Sequence, residues 1–220
     1  MQFDLLDPVH NEILSTTTYA AFAERLRASD CRRCPLCERR GRIVIDRGNP
    51  RATVMVVSER PGEHEDQRGQ AFVGRSGELL DKIFAAIGMD TNRDVLITNV
   101  VKCMPPIDRS PQSAEVEACL PYLEKQIALV RPKVVILLGA IALKYVAEEH
   151  VPTSAASPSE FSMEEEAGKF FTIPKYPGIQ FMVLYHPAFL LRDPSKKKVM
   201  WEHVQRLRDF LAAPSSKELK

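Results

Sequence analysis

The sequence predicts an α/β fold, a three-layer sandwich with a four-stranded parallel sheet between two layers of helices, and two observations predict it. Four short runs, nearly all apolar and rich in β-branched residues, recur along the chain: Thr53 to Ser58 (TVMVVS), Val95 to Thr98 (VLIT), Lys133 to Leu138 (KVVILL) and Gln180 to Tyr185 (QFMVLY). A strand with one wet face alternates apolar and polar residues, whereas a continuous apolar strand is buried on both faces, as in parallel sheets. Helical patterns separate the runs, and parallel strands need such crossovers. The handedness of those crossovers leaves few topologies.

Taken in order, residues up to Asp30 read as helix, with Tyr19, Phe22 and Leu26 at spacings of three and four. Cys31 to Arg51 is a basic segment with seven arginines against Glu38 and Asp46, and Gly48-Asn49-Pro50 marks a turn. The first strand runs into a loop rich in Gly and charge, then a helix around Glu78 to Ile87. The second strand leads to a helix over Ala114 to Val130 whose start Ser113 marks, and the third leads directly to a helix ending near Val146. A last helix, Lys196 to Leu211, follows the fourth strand. Residues 148 to 178, with a Glu164-Glu165-Glu166 run, read as a surface excursion. The organisation expected is one domain, with a helical segment at 1–30, a core at 31–212 and a flexible tail at 213–220.

Across 220 residues, 45% hydrophobic and 27% charged is ordinary globular usage, which excludes disorder, collagen and coiled coil as whole-chain readings. Thirty Lys and Arg against 29 Asp and Glu leave a net charge of +1, so contact with a polyanion must come from a local patch. The longest apolar run, Val134 to Leu143, is too short to span a bilayer. MQFDLLDPVH carries two Asp and no basic start, unlike a secretion signal. A soluble cytoplasmic protein without a membrane partner is expected.

Five cysteines, an odd number, argue against a disulfide framework. Cys31, Cys34 and Cys37 stand in CRRCPLC, while Cys103 and Cys119 lie far along the chain. A CxxC with two distant partners suits a tetrahedral site of four thiolates for zinc or an iron–sulfur cluster. A redox CxxC beside scattered core thiols is the plainer alternative.

Ligands of an open parallel sheet bind beyond the carboxyl ends of its strands. Here the first strand runs into Ser58-Glu59-Arg60-Pro61-Gly62, the second into Asn99, the third into Gly139 and the fourth into His186-Pro187. An acid, an amide and an imidazole at three different strand ends point to a convergent pocket.

At these motifs the chain resembles the family 4 uracil-DNA glycosylases, the iron–sulfur type of bacteria and archaea. The resemblance runs from Cys31 to about Leu211 and rests on CRRCPL, RGNPRATVMVVSERPGEHEDQRGQAFVGRSGELLD, VLITNVVKCMPPIDRSPQSAEVEAC, RPKVVILLGAIAL and YHPAFLLR in that order. It implies the uracil-DNA glycosylase fold, and a 4Fe–4S cluster held by Cys31, Cys34, Cys103 and Cys119, with Cys37 outside the pattern. It implies a monomeric DNA repair enzyme that flips deoxyuridine out of single- or double-stranded DNA and hydrolyses the glycosidic bond.

By the same resemblance His186 donates to the uracil O2 as negative charge develops there. Asn99 reads the pyrimidine edge, accepting from N3 and donating to O4, a pattern that cytosine reverses. Phe72 stacks on the flipped base. Glu59 belongs to the water-positioning motif, Glu65, which borders the base pocket, is a second catalytic carboxylate, and Asp66 is a substrate-binding acid. Gly62 lets backbone approach the ligand. Leu190 and Leu191 read as an apolar wedge that fills the vacated stack, with Arg192 and Lys196 on the flanking phosphates. Ser58 and Arg60 depart from the family pattern, which has small residues on both sides of the glutamate. The alternative is therefore a weakened or altered relative that mainly binds DNA through an iron–sulfur fold. Relatives that bond covalently to uracil-DNA carry a His insertion between the last two cluster cysteines, and MPPIDRSPQSAEVEA has none.

Overall fold

The computed structural model describes residues 7–106, 109–147 and 162–213. Its centre is a six-stranded sheet in the order β1-β3-β2-β4-β6-β5. The four long strands, β2 (Val54–Ser58), β3 (Val95–Asn99), β4 (Val134–Leu138) and β6 (Gln180–Leu184), are the four apolar runs, and they pair in parallel. Two short strands add antiparallel edges: β1 (Arg47–Gly48) on β3 and β5 (Phe170–Thr172) on β6. The expected four strands therefore gain two neighbours, each too short to show a period. Part of the segment read as an excursion is sheet edge, while 148–161 and the tail from 214 lie outside the described residues.

Alternate residues of the strands feed two cores. Met55, Val57, Leu96, Val135, Leu137, Phe181 and Val183 face one core. It is covered by α1 (Pro8–Leu14), α2 (Tyr19–Ala28), α5 (Ser113–Val130) and α6 (Ala140–Val146) through Ile13, Phe22, Leu123, Ile127 and Leu143. Val54, Val56, Ile97, Ile136 and Met182 face the other. There α4 (Arg75–Ala85), α8 (Pro187–Arg192) and α9 (Lys197–Ala212) contribute Leu80, Phe84, Leu190, Met200, Val204 and Leu207. A sheet covered on both sides explains why its strands read as unbroken apolar runs.

Two short helices complete the layout. The four-residue α7 (Met163–Glu166) precedes β5, and α3 (Glu63–Arg68) follows β2 inside the stretch expected to be loop. α3 is polar, so hydrophobic periodicity does not reveal it. Its ends do: Glu65 accepts the Gly62 N–H at 3.0 Å, and Gly69 closes it with φ of 71°. From β2 the chain passes to β3 on one side and then crosses to β4 on the other. That switch opens a crevice at the carboxyl ends of the strands.

Candidate active site

A cavity of about 400 Å³ fills this crevice, bordered by Glu59, Gly62, Glu65, Phe72, Asn99 and His186 among others. Four different strand ends supply its walls. Glu59 follows β2, Asn99 is the last residue of β3, Gly139 follows β4, and His186 stands two residues beyond β6. Ser58 and Asn99 are paired in register, which puts the acid and the amide on adjacent strands at one level.

His186 is the N-cap of α8, where its Nδ1 accepts the Ala188 N–H at 3.0 Å. The ring proton therefore sits on Nε2, and it is donated to the Ser58 hydroxyl oxygen at 3.0 Å. Burial, reinforced by the Arg192 and Arg60 guanidinium groups, lowers the His186 pKa from 6.5 to about 4. The imidazole is therefore neutral at neutral pH, with one N–H to donate, at Nε2. The Ser58–His186 contact resembles a nucleophile–base dyad, but with the proton on Nε2 the imidazole has no lone pair there to activate the hydroxyl.

This depressed pKa has a consequence for stability. Between about pH 6.5 and 4 the unfolded chain binds a proton that the folded chain refuses, so stability falls as pH falls through that window. Urea unfolding from about pH 7 to about pH 5 is expected to cost wild type about 2 kcal/mol more than His186→Asn. His10 and His203, whose pKa values burial also lowers, are common to both proteins and cancel.

Asn99 is 1% exposed, and both its Oδ1 and its Nδ2 lack a hydrogen-bond partner among the described residues. Such a group costs stability unless a ligand meets it. Its main chain is held firmly. Lys102, buried at 1% exposure, donates from Nζ to the Asn99 carbonyl at 2.6 Å, to Thr98 Oγ1 at 2.8 Å and to Gln126 Oε1 at 2.5 Å. Sequence reading missed Lys102, which looks like any surface lysine until β3 and α5 close around it.

Glu59 Oε1 is likewise buried without a partner among the described residues. The Glu65 carboxylate accepts three backbone N–H groups: Oε2 that of Gly62, and Oε1 those of Val73 and Gly74 at 2.8 and 2.9 Å. It shapes the loop that carries Phe72. Phe72 has φ of 54°, and its ring centroid lies 5.8 Å from that of His186. Its carbonyl accepts from Arg47 at 2.9 Å and abuts Gly77, where any Cβ would collide with it. Asp66 faces away from the cavity and accepts the Gly41 N–H at 2.7 Å and the Arg42 N–H at 3.4 Å.

Arg60 and Arg192 stand on the cavity wall. The Arg60 guanidinium folds back to donate to the Pro61 carbonyl at 3.1 Å. Leu190, expected in the wedge, is 1% exposed and belongs to the core, because Pro187 and Leu190 occupy the inner face of α8. Leu191, at 40% exposure, is the apolar residue that remains at the surface. Lys196 is paired with Glu164.

Away from this cavity, Cys31, Cys34, Cys103 and Cys119 line one small hollow between α5 and the segment after α2. Arg40 donates toward Cys103 Sγ at 3.8 Å, and the Lys102 N–H donates to Cys119 Sγ at 3.3 Å. Cys37 lies in a 3-10 turn over Pro35–Glu38 and is not part of the hollow's lining. Burial raises the Cys103 thiol strongly and pushes the Cys119 thiol up to about 12. Among the described residues no three of His, Cys, Asp and Glu close tightly enough for a single metal ion. Four thiols around one hollow, those of Cys103 and Cys119 buried and those of Cys31 and Cys34 half-buried, with N–H donors aimed at two of them, are a donor set whose chemistry suits an iron–sulfur cluster or zinc.

An amide, a neutral imidazole, a carboxylate and an aromatic ring thus surround one cavity at the carboxyl ends of an open, mostly parallel sheet, the layout of an α/β fold with a ligand pocket at its strand ends. A profile of the Uracil DNA glycosylase superfamily matches residues 45–208. The chain is 36% identical to the Type-4 uracil-DNA glycosylase of Sulfurisphaera tokodaii over 187 residues, covering 84% of this chain and 81% of that protein. The Pyrobaculum aerophilum Type-4 enzyme is 39% identical over 168 residues (76% and 82%), and that of Thermotoga maritima 33% over 187 (84% and 91%). The chain belongs to the uracil-DNA glycosylase superfamily, in its type-4 family.

Proposed function

We propose that this chain is a DNA repair glycosylase that extracts deoxyuridine from single- or double-stranded DNA and hydrolyses its N-glycosidic bond. The single observation that carries the reading is the buried Asn99 amide, without a partner among the described residues, beside a neutral His186 imidazole in one base-sized cavity. The N1–C1′ bond breaks, water adds its oxygen to C1′, and the water's second proton ends on the departing uracil. Positive charge develops on the sugar and negative charge on the base, so preorganised dipoles at both ends lower the barrier.

In this scheme the uracil O2 takes over the Nε2–H of His186 that Ser58 holds in the free protein. A neutral donor suits O2, whose charge grows only as the bond breaks. Asn99 accepts from N3–H and donates to O4, while cytosine offers a bare N3 and an amino group and leaves both amide atoms unmet. Glu59 orients the water and stabilises the cationic sugar. Phe72 stacks on the ring, and Glu65 and Asp66 hold the surrounding loops. Leu191 enters the vacated stack, with Arg192 and Arg60 on nearby phosphates.

The four cysteines would hold a 4Fe–4S cluster whose contribution is structural, tying the segment after α2 to α5. Protein purified without oxygen is expected to contain iron and sulfide with visible absorption, lost in Cys103→Ser and kept in Cys37→Ala. Zinc without sulfide would contradict this. As a monomer acting on DNA, the protein would work in a bacterial or archaeal cytoplasm.

The test is a labelled oligonucleotide with one deoxyuridine, treated with protein and then alkali, which cleaves abasic sites. Cleavage at that position with release of free uracil is expected, from duplex or single strand. Tight binding without release would replace this reading with that of a DNA-binding relative.

A further inference from the structure

A second basin, about 390 Å³, lies outside the base cavity, and its charged lining is Arg27, Arg40, Arg42 and Arg68 against one acid, Asp30. Asp30 is already met by Arg32 at 2.9 Å and Arg40 at 2.8 Å. The guanidinium groups of Arg27, Arg42 and Arg68 make no hydrogen bond or ion pair among the described residues. For a chain of net charge +1 this is a local concentration of free cations, not an overall bias.

The fold builds this arrangement. Gly69, at φ of 71°, leaves room for the Arg42 stem, and a Cβ there would lie 3.2 Å from the Arg42 Cδ, so Arg42 packs against the residue that follows Arg68, and both arginines line the basin. Asp66 fixes the Gly41–Arg42 backbone through its two N–H contacts. Arg40 ties the basin floor to the cysteine lobe, donating to the Cys31 carbonyl at 2.6 Å and toward Cys103 Sγ. The same α3 borders both sites: Gly62 and Glu65 at the base cavity, Arg68 and Gly69 at the basin. The six residues of α3 measure about 9 Å at about 1.5 Å each, or two to three nucleotides of one strand at about 3.4 Å each.

We propose that Arg27, Arg42 and Arg68 form a second phosphate-binding surface, which holds the DNA backbone two to three nucleotides from the extracted base and which the cysteine lobe presents. The proposal rests on the reading that the cavity takes a base from DNA. It gives the four-cysteine lobe a task that needs no electron transfer, because the lobe sets where these arginines stand.

The test is fluorescence anisotropy of a uracil-free duplex across a salt series, with wild type, the triple variant R27Q/R42Q/R68Q, and a charge-matched control, R51Q/R131Q/K133Q, at the opposite end of the strands. The basin variant is expected to bind at least about tenfold more weakly at moderate salt, and its log K against log salt slope to flatten by about 2 to 3. The single variants R42Q and R68Q, the less invasive replacements, are each expected to flatten it by about 0.9. A slope within about 0.5 of wild type, or an equal change in the control, would overturn the proposal. Because the probe holds no uracil, failure of wild type to release uracil from a second, uracil-containing probe would sink the excision reading separately.

Discussion

Replacing His186 with alanine lowers the single-turnover rate of uracil release by at least about a hundredfold, the usual cost of removing one donor aimed at developing negative charge. The imidazole has two tasks, and the variants separate them. Nδ1 caps α8 by accepting the Ala188 N–H, and losing that cap costs about 1 kcal/mol. His186→Asn keeps an acceptor for the cap on a shorter side chain, so its stability near pH 7 returns toward wild type while the rate does not. If the asparagine variant restores both, His186 is only a structural cap. Because the folded pKa is about 4, the His186-dependent acid limb of the rate profile belongs near pH 4 and not near 6.5. A limb near 6.5 would show a histidine that titrates freely.

The second large effect is on Asn99. Its amide is buried with neither atom satisfied among the described residues, which raises the free energy of the folded protein until a ligand arrives. Asn99→Leu, close in volume, is expected to raise the unfolding free energy by about 1 kcal/mol or more. It is also expected to cut uracil excision by at least about a hundredfold, since two specific hydrogen bonds to the base are gone. Urea unfolding and single-turnover excision on the same preparation check both directions. A variant that loses stability and activity together would make Asn99 a scaffold residue.

The sheet was legible because four short, β-branched apolar runs are each set off by turn residues and helical patterns, the arrangement that favours strands buried on both faces over buried helices. Val54–Val57 and Val134–Leu138 are apolar without a break, so both faces read as buried, while the register between the strands came only with the structure. The strand ends were legible for the same reason, since an Asn or a His after such a run stands at the rim where ligands bind. What stayed hidden depends on contacts across the chain. α3 is a helix of EHEDQR with no apolar period, and that its Glu65 holds the surrounding loop by accepting three backbone N–H groups is a contact no local pattern carries. Leu190 and Leu191 are neighbours of identical chemistry, and only the orientation of α8 sends one into the core and the other outward. The Ser58–His186 hydrogen bond joins residues 128 apart, a pairing no local pattern carries.

The most direct measurement is a crystal structure of the protein with free uracil bound. The account predicts the uracil O2 within hydrogen-bond distance of His186 Nε2, O4 and N3 on the Asn99 amide, and the ring against Phe72. Uracil seated elsewhere, or lying in the cavity while His186 keeps its bond to Ser58 and Asn99 stays unpartnered, would contradict it.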